Sequence, residues 1–350
     1  MRSALLSMVF GALLLLIFSA SISLAAQTLT KVVDVPLPGH ASRFDYQSFD
    51  PITKMLYFTH MGDGKLVVFD TARRRVVAHL PDFPTATGVL VVPELNRVFI
   101  SVAGRHEVAV VDTRSLKVLV RIAAGDFPDG LAYAPEVHKV FVSDESGGRE
   151  IVIDANTLRR VNTIEMGGEI GNTQYDSASH RILVNVQSRN QLVIIDPQTD
   201  TIVDRHTLKG CTCTGPHGLL VREPDRLAFA ACEKDARLLM VDLESFQVKQ
   251  VLSTGDGPDV LAFDPGLQRL YVATESDIVS VFQLHDGSLA KLEDLVVAPH
   301  AHTISVNPEN HEVYMPLQNI AGHPVLRILR PKTRRLNMKN DHITKQMQPT

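Results

Sequence analysis

Tryptophan is absent from the 350-residue chain, and cysteine occurs only three times. The first absence removes every repeat class whose signature is built on that residue. The second allows one disulfide at most. Charge of either sign is not in excess: 35 Lys and Arg stand against 39 Asp and Glu, a formal net charge of −4. Neither nucleic acid nor an anionic membrane is therefore expected as a partner. Catalytic signatures are missing too. There is no nucleophile elbow, no recognisable Ser-His-Asp order, no haem Cys-x-x-Cys-His and no dinucleotide fingerprint. The stretch Gly167 to Asn172 is glycine-rich, but no helical pattern follows it, so it lacks the dipole that would make it a phosphate loop.

Long apolar runs are also absent, with one exception. Met1-Arg2 is followed by an almost unbroken apolar run from Ala4 to Ala20, and Ser23-Leu24-Ala25 then places small residues at −3 and −1 of a cleavage site. That order predicts a secretory signal peptide over 1–25 and a periplasmic or secreted protein. An uncleaved anchor is the alternative, because the run approaches the length that spans a bilayer. No membrane span is expected after cleavage. Beyond Pro331 the chain is polar and basic, and 332–350 reads as a flexible C-terminal tail.

What the chain does have is a period near 42 residues. Short β-rich runs begin at Leu56, Val98, Val140, Ile182, Leu227, Leu270 and Val313, spaced 42, 42, 42, 45, 43 and 43. A second run follows each, closing on Asp70, Asp112, Asp154, Asp196 and Asp242, and degenerating at Gln283 and Arg330. The closing aspartates read as turn caps. Further β-branched runs lie between, giving about four strands per repeat. Four short strands at this period make a propeller blade, and seven close a ring. The fold class is therefore all-β, a seven-bladed β-propeller over 26–331. The seventh repeat ends after its third strand near Pro331, so the N-terminal strand around Lys31–Leu37 is predicted to complete the last blade.

These strand runs, with turns such as Gly257–Asp264 and Gly215–Leu219, resemble the YVTN-repeat β-propellers and, among them, the YncE-like exported bacterial proteins. The resemblance covers about residues 30 to 331 and implies the architecture. It implies no particular reaction, since sites belong to residues rather than folds. A quinone-dependent oxidoreductase would need eight blades with regular tryptophan docking, which this chain lacks.

Aligning the starts of the innermost strands gives Asp45, Thr87, Asp129, Gly171, His217, Asp259 and His302, spaced 42, 42, 42, 46, 42 and 43. All seven are predicted to face the channel axis at one end. His217, Asp259, His302 and Asp45 come from consecutive blades 5, 6, 7 and 1. Two imidazoles and two carboxylates suit one divalent ion such as Zn²⁺, Mn²⁺, Fe²⁺ or Cu²⁺. The same ring, with Asp129 and Asn172, reads equally as a polar ligand pocket or as hydrated lining. His40 and His300 lie in the approach loops, His60 is expected to end the second strand of blade 1 on the same face, and Asp144-Glu145, Glu233-Lys234 and Glu275 are expected in loops there. Cys232 is expected to pair with Cys213 or with Cys211, pinning the loop that carries His217. The expected function is binding: a monomeric propeller that holds a small ligand, a metal ion or a protein on its top face. The alternative is a metal-dependent hydrolase or lactonase.

Overall fold

The computed structural model describes residues 28–208 and 213–332. The predicted signal peptide, Cys211 and all but the first residue of the C-terminal tail lie outside them. Seven four-stranded antiparallel sheets are present, one per repeat. Blade 1 is typical, with strands Gln47–Phe49, Met55–His60, Lys65–Asp70 and Arg75–Leu80 running from the axis outward. Strand alternation explains why a blade cannot stand alone. Leu56, Phe58, Val67 and Phe69 pack on Tyr314, Leu326 and Ile328 of blade 7. The intervening Tyr57, Leu66 and Val68 pack on Val89, Val98 and Ile100 of blade 2. Each strand thus gives one face to each neighbouring blade.

Turns follow the expected chemistry. Asp112 Oδ1 accepts the backbone N–H groups of Arg114 and Ser115, and Asp154 and Asp242 do the same for the two turns that follow them. The ring closes as predicted. Strand Leu29–Pro36 adds to the outside of blade 7, from Leu29 opposite Pro331 to Pro36 opposite Val325. Arg327 clamps Asp34 through two bonds of 2.8 Å across that seam.

The innermost strands meet closely at one end of the axis. In blades 2, 3, 5 and 6 the register with the second strand breaks at the strand start, as at Asp129-Gly130 and His217-Gly218. Such a bulge turns a side chain off the sheet face. Here it leaves the backbone carbonyls pointing at the previous blade. A Cβ on Gly218 would lie 1.8 Å from the Asp259 carbonyl oxygen, and one on Gly88 would lie 1.9 Å from that of Asp129. Side chains of the second strands bind Asp129 O and other carbonyls of the strand starts: Thr59 Oγ1 donates to Thr87 O at 2.7 Å, Ser101 Oγ to Asp129 O at 2.6 Å, and Asn185 Nδ2 to Gly218 O at 3.1 Å.

Of the two cysteine pairings, the structure has Cys213–Cys232, closing a separation of 19 residues. It ties the approach to blade 5 to the end of that blade's second strand. Losing it removes a restraint on the unfolded chain that a loop of this size makes worth about 3 kcal/mol. Cys213→Ser/Cys232→Ser is expected to melt several degrees below the native protein in calorimetry, and reductant is expected to lower the native melting temperature but not the variant's.

Glu150, in the third strand of blade 3 (Arg149–Asp154), is fully buried. Ser143 Oγ donates to its Oε1 at 3.1 Å, and its Oε2 has no partner among the described residues. Burial pushes this carboxyl up to about 8. Its folded-state pKa lies above its unfolded value, so stability is greatest below the unfolded pKa and falls as pH rises towards 8, by at most about 1.4 kcal/mol per pH unit. Glu150→Gln is expected to melt above the native protein at pH 8, with the gap closing near pH 4.5. A gap that stays constant with pH would contradict this.

Candidate functional site

Five of the ring residues, Asp45, Thr87, Asp129, His217 and Asp259, line one chamber at the top of the channel, and His302 lies buried behind it. The chamber's volume is about 190 Å³, and it is lined by Arg43, Asp45, Tyr46, Thr87, Phe127 and Asp129, together with Glu145, His217, Glu233, Asp259 and Glu275. Six carboxylates thus face Arg43 and His217. Glu145, Glu233 and Glu275 come from the loops after the second strands, the same loops that the sequence assigns to this face. Asp144 does not join them. It caps the Asp126 and Phe127 N–H groups and pairs with Arg149, a turn role.

Three ring residues form a cluster. One donor atom from each of Asp45, Asp259 and His302 lies within 4.8 Å of the other two, and all three residues are buried. His302 Nε2 is 3.3 Å from Asp45 Oδ1, while its Nδ1 faces Glu275 Oε2 at 3.6 Å without a hydrogen bond. Asp259 Oδ1 also lacks a hydrogen-bond partner. His217 stands beside this set rather than in it. Its Nε2 is 3.5 Å from Asp259 Oδ1, 3.9 Å from Asp129 Oδ2 and 3.3 Å from the Tyr46 hydroxyl.

The chamber reshapes its own titrations. Burial opposes the charge on His217, but Asp259, Asp129, Glu145 and Glu233 outweigh it and raise the imidazole to about 9. Burial lifts Asp259 to about 6 against the pull of His217 and His302. Asp129 is raised well above the usual carboxylate range, by burial first and by Asp45 and Glu145 next. His302 is raised despite burial, because Asp45 holds its charged form. Perturbed groups of opposite sign gathered in one chamber mark a site built around charge.

Tyr46 is the residue that the sequence gives no reason to single out. It follows Asp45, and its ring crosses the axis to His217 of blade 5. Below it lies a second chamber of about 260 Å³ that includes Asn172 and Gln174. Asn172 therefore belongs to the lower chamber, not to the mouth. Gly171 contributes no side chain, and a Cβ there would meet His217 Cα at 2.7 Å. Thr87 is spent on the ring, donating to Pro128 O at 2.8 Å. Of the outlying histidines, His300 Nδ1 sits 3.7 Å from Glu275 Oε2, whereas His40 and His60 turn towards Asp63 on the flank of blade 1. Among the described residues no helix is long and apolar enough to cross a membrane.

Neither a family model nor a curated relative matches the sequence. Solved structures do. The chain is similar to a chain of the mitotic checkpoint complex crystal structure at 11% identity and a TM-score of 0.73, covering 95% of this chain and 100% of that one. It is similar to a chain of Kuenenia stuttgartiensis hydrazine synthase at 14% identity and 0.70, covering 87% and 98%. It is also similar to the WD40 repeats of RRP9 at 10% identity and 0.73, covering 87% and 99%. With no tryptophan in this chain, the likeness to WD40 repeats lies in the backbone and not in their signature. At these identities the comparisons establish one thing, that the chain has the β-propeller fold.

Proposed function

We propose that this is an exported binding propeller of the YVTN type that takes a divalent transition-metal ion at the top of its channel, held by Asp45, Asp259 and His302 with His217 alongside. The observation that carries the reading is the pairing of donor spacing with unmet demand. Three buried donors converge from adjacent blades, Asp259 Oδ1 lacks a hydrogen-bond partner, and His302 turns Nε2 towards Asp45. Nitrogen and oxygen donors about a metal stand ~3.3 Å apart, which His302 and Asp45 already match at 3.3 Å. The surplus of carboxylates around the chamber favours a cation and disfavours an anionic ligand. Export rests on the leader-like pattern of 1–25 and agrees with a disulfide.

A metal-dependent hydrolase is the second reading, and one observation favours it. His217 and Tyr46 place exchangeable protons beside the three donors, where a metal-bound water or a polarised carbonyl would lie.

The test is metal content. Untagged protein from the periplasm is dialysed against Zn²⁺ and analysed by elemental mass spectrometry beside Asp259→Asn and His302→Ala. The native protein is expected to hold one more equivalent than either variant, with at least tenfold weaker Zn²⁺ binding in the variants by calorimetry. Equal metal content in all three would refute the site. If the extra equivalent is present, hydrolysis of simple esters and lactones by the loaded protein, lost in Asp259→Asn, would establish the second reading over the first.

A further inference from the structure

A second set of metal donors lies in blade 1, away from the channel. His60 ends the second strand, Asp63 closes the 3-10 turn Met61–Asp63, and His79 lies on the outermost strand Arg75–Leu80. One donor atom from each lies within 4.8 Å of the other two. His60 is fully buried against Phe44, ring centroids 4.0 Å apart, and the His79 ring stacks 6.0 Å beyond it.

The hydrogen bonds fix which nitrogen of His60 is free. The Ser42 hydroxyl donates to Asp63 Oδ1 at 2.9 Å, so its oxygen accepts from His60 Nε2–H at 3.0 Å. The lone pair is left on Nδ1, which has no hydrogen-bond partner and stands 3.9 Å from Asp63 Oδ2. His79 Nε2 is likewise buried and unpartnered. Asp63 is oriented by the His40 backbone N–H at 2.9 Å and the His40 ring at 3.2 Å. Such outer contacts are what hold a ligating imidazole and carboxylate in place. Gly39 lies over the cluster. A Cβ there would be 2.3 Å from Asp63 Oδ2 and 3.2 Å from His60 Nδ1, so a larger residue would occupy the space between the donors. Asp63 also borders a surface groove with Met61, Pro84 and Thr85, which gives an ion a way in.

We infer that His60, Asp63 and His79 form a second divalent transition-metal site, suited to Zn²⁺ or Cu²⁺, with Nδ1 of His60, Nε2 of His79 and a carboxylate oxygen of Asp63 as ligands and one position left to solvent. Two imidazoles and one carboxylate match the nitrogen and oxygen preference of those ions over Ca²⁺ or Mg²⁺. Donors about such an ion stand ~3.3 Å apart, so the three, now within 4.8 Å of one another, must draw in on binding. Lys65, the cross-strand partner of His60, is a nearby cation that works against the ion. The site shares no donor with the channel mouth, so each can fail without the other.

Zn²⁺ titration of the untagged protein tests it, read by calorimetry and by the ¹⁵N shifts of the histidine rings. His79→Ala is expected to lose one equivalent that His302→Ala retains, and Lys65→Ala to bind that equivalent several-fold tighter. In the native protein, Nδ1 of His60 and Nε2 of His79 are expected to shift on addition of Zn²⁺. Because this readout uses native protein, it does not depend on whether a variant folds. Unshifted His60 and His79 rings at saturating Zn²⁺, or an unchanged metal count in a folded His79→Ala, would overturn the site.

Discussion

The contact on which the rest depends is the near-touching of successive innermost strands at the top of the axis. Glycine at 88 and 218 lets the carbonyls of Asp129 and Asp259 come within a distance that no side chain would allow. Hydroxyls and an amide from the second strands then bind the same row of carbonyls. Backbone groups that would otherwise sit unpaired in a dry interior are thereby satisfied. Blade is fixed to blade at the one radius where the ring is narrowest. The seven apolar interfaces supply the bulk of the burial, but they are broad and interchangeable. The axial bonds set how each strand starts, and so where its first side chain points.

That rigidity explains how the mouth keeps so many acids together. Carboxylates brought this close and out of water resist ionisation, and flexible loops would let them part. Here the strand starts hold Asp45, Asp129 and Asp259, and loops supply the three glutamates. The response falls on their protonation instead, with Asp259 lifted to about 6 and His217 to about 9. A bound cation would relieve the same repulsion directly. The two histidines do so in part, which is why His302 and His217 each lean on a carboxylate.

The blade count and the closing strand were legible from the sequence because the blades repeat, and a period survives without knowing any contact. The spacing of 42 even carries Thr59, Ser101 and Asn185 to equivalent places. Their task is invisible until the neighbouring carbonyl is seen. Tyr46 was not legible, since its counterparts Gly88, Gly130, Asn172, Gly218, Val260 and Thr303 already vary in size and polarity. Asn172 lines the lower chamber together with Tyr46, a placement that its position in the repeat does not show. The grouping of His60 with His79 depends on which side of a strand each residue faces around a turn. A one-residue difference in the turn would reverse it.

The seam between Leu29–Pro36 and the last blade orders events in time. Strand Leu29–Pro36 is made first, yet its partner is the strand ending at Pro331, among the last made. Until both are present, blade 7 lacks its outer wall and blade 1 lacks the neighbour on which Phe58 and Phe69 pack. The propeller therefore cannot mature blade by blade as the chain lengthens. It must wait as an open arc with an unpaired edge at each end, and the step that joins them is the most non-local in the molecule.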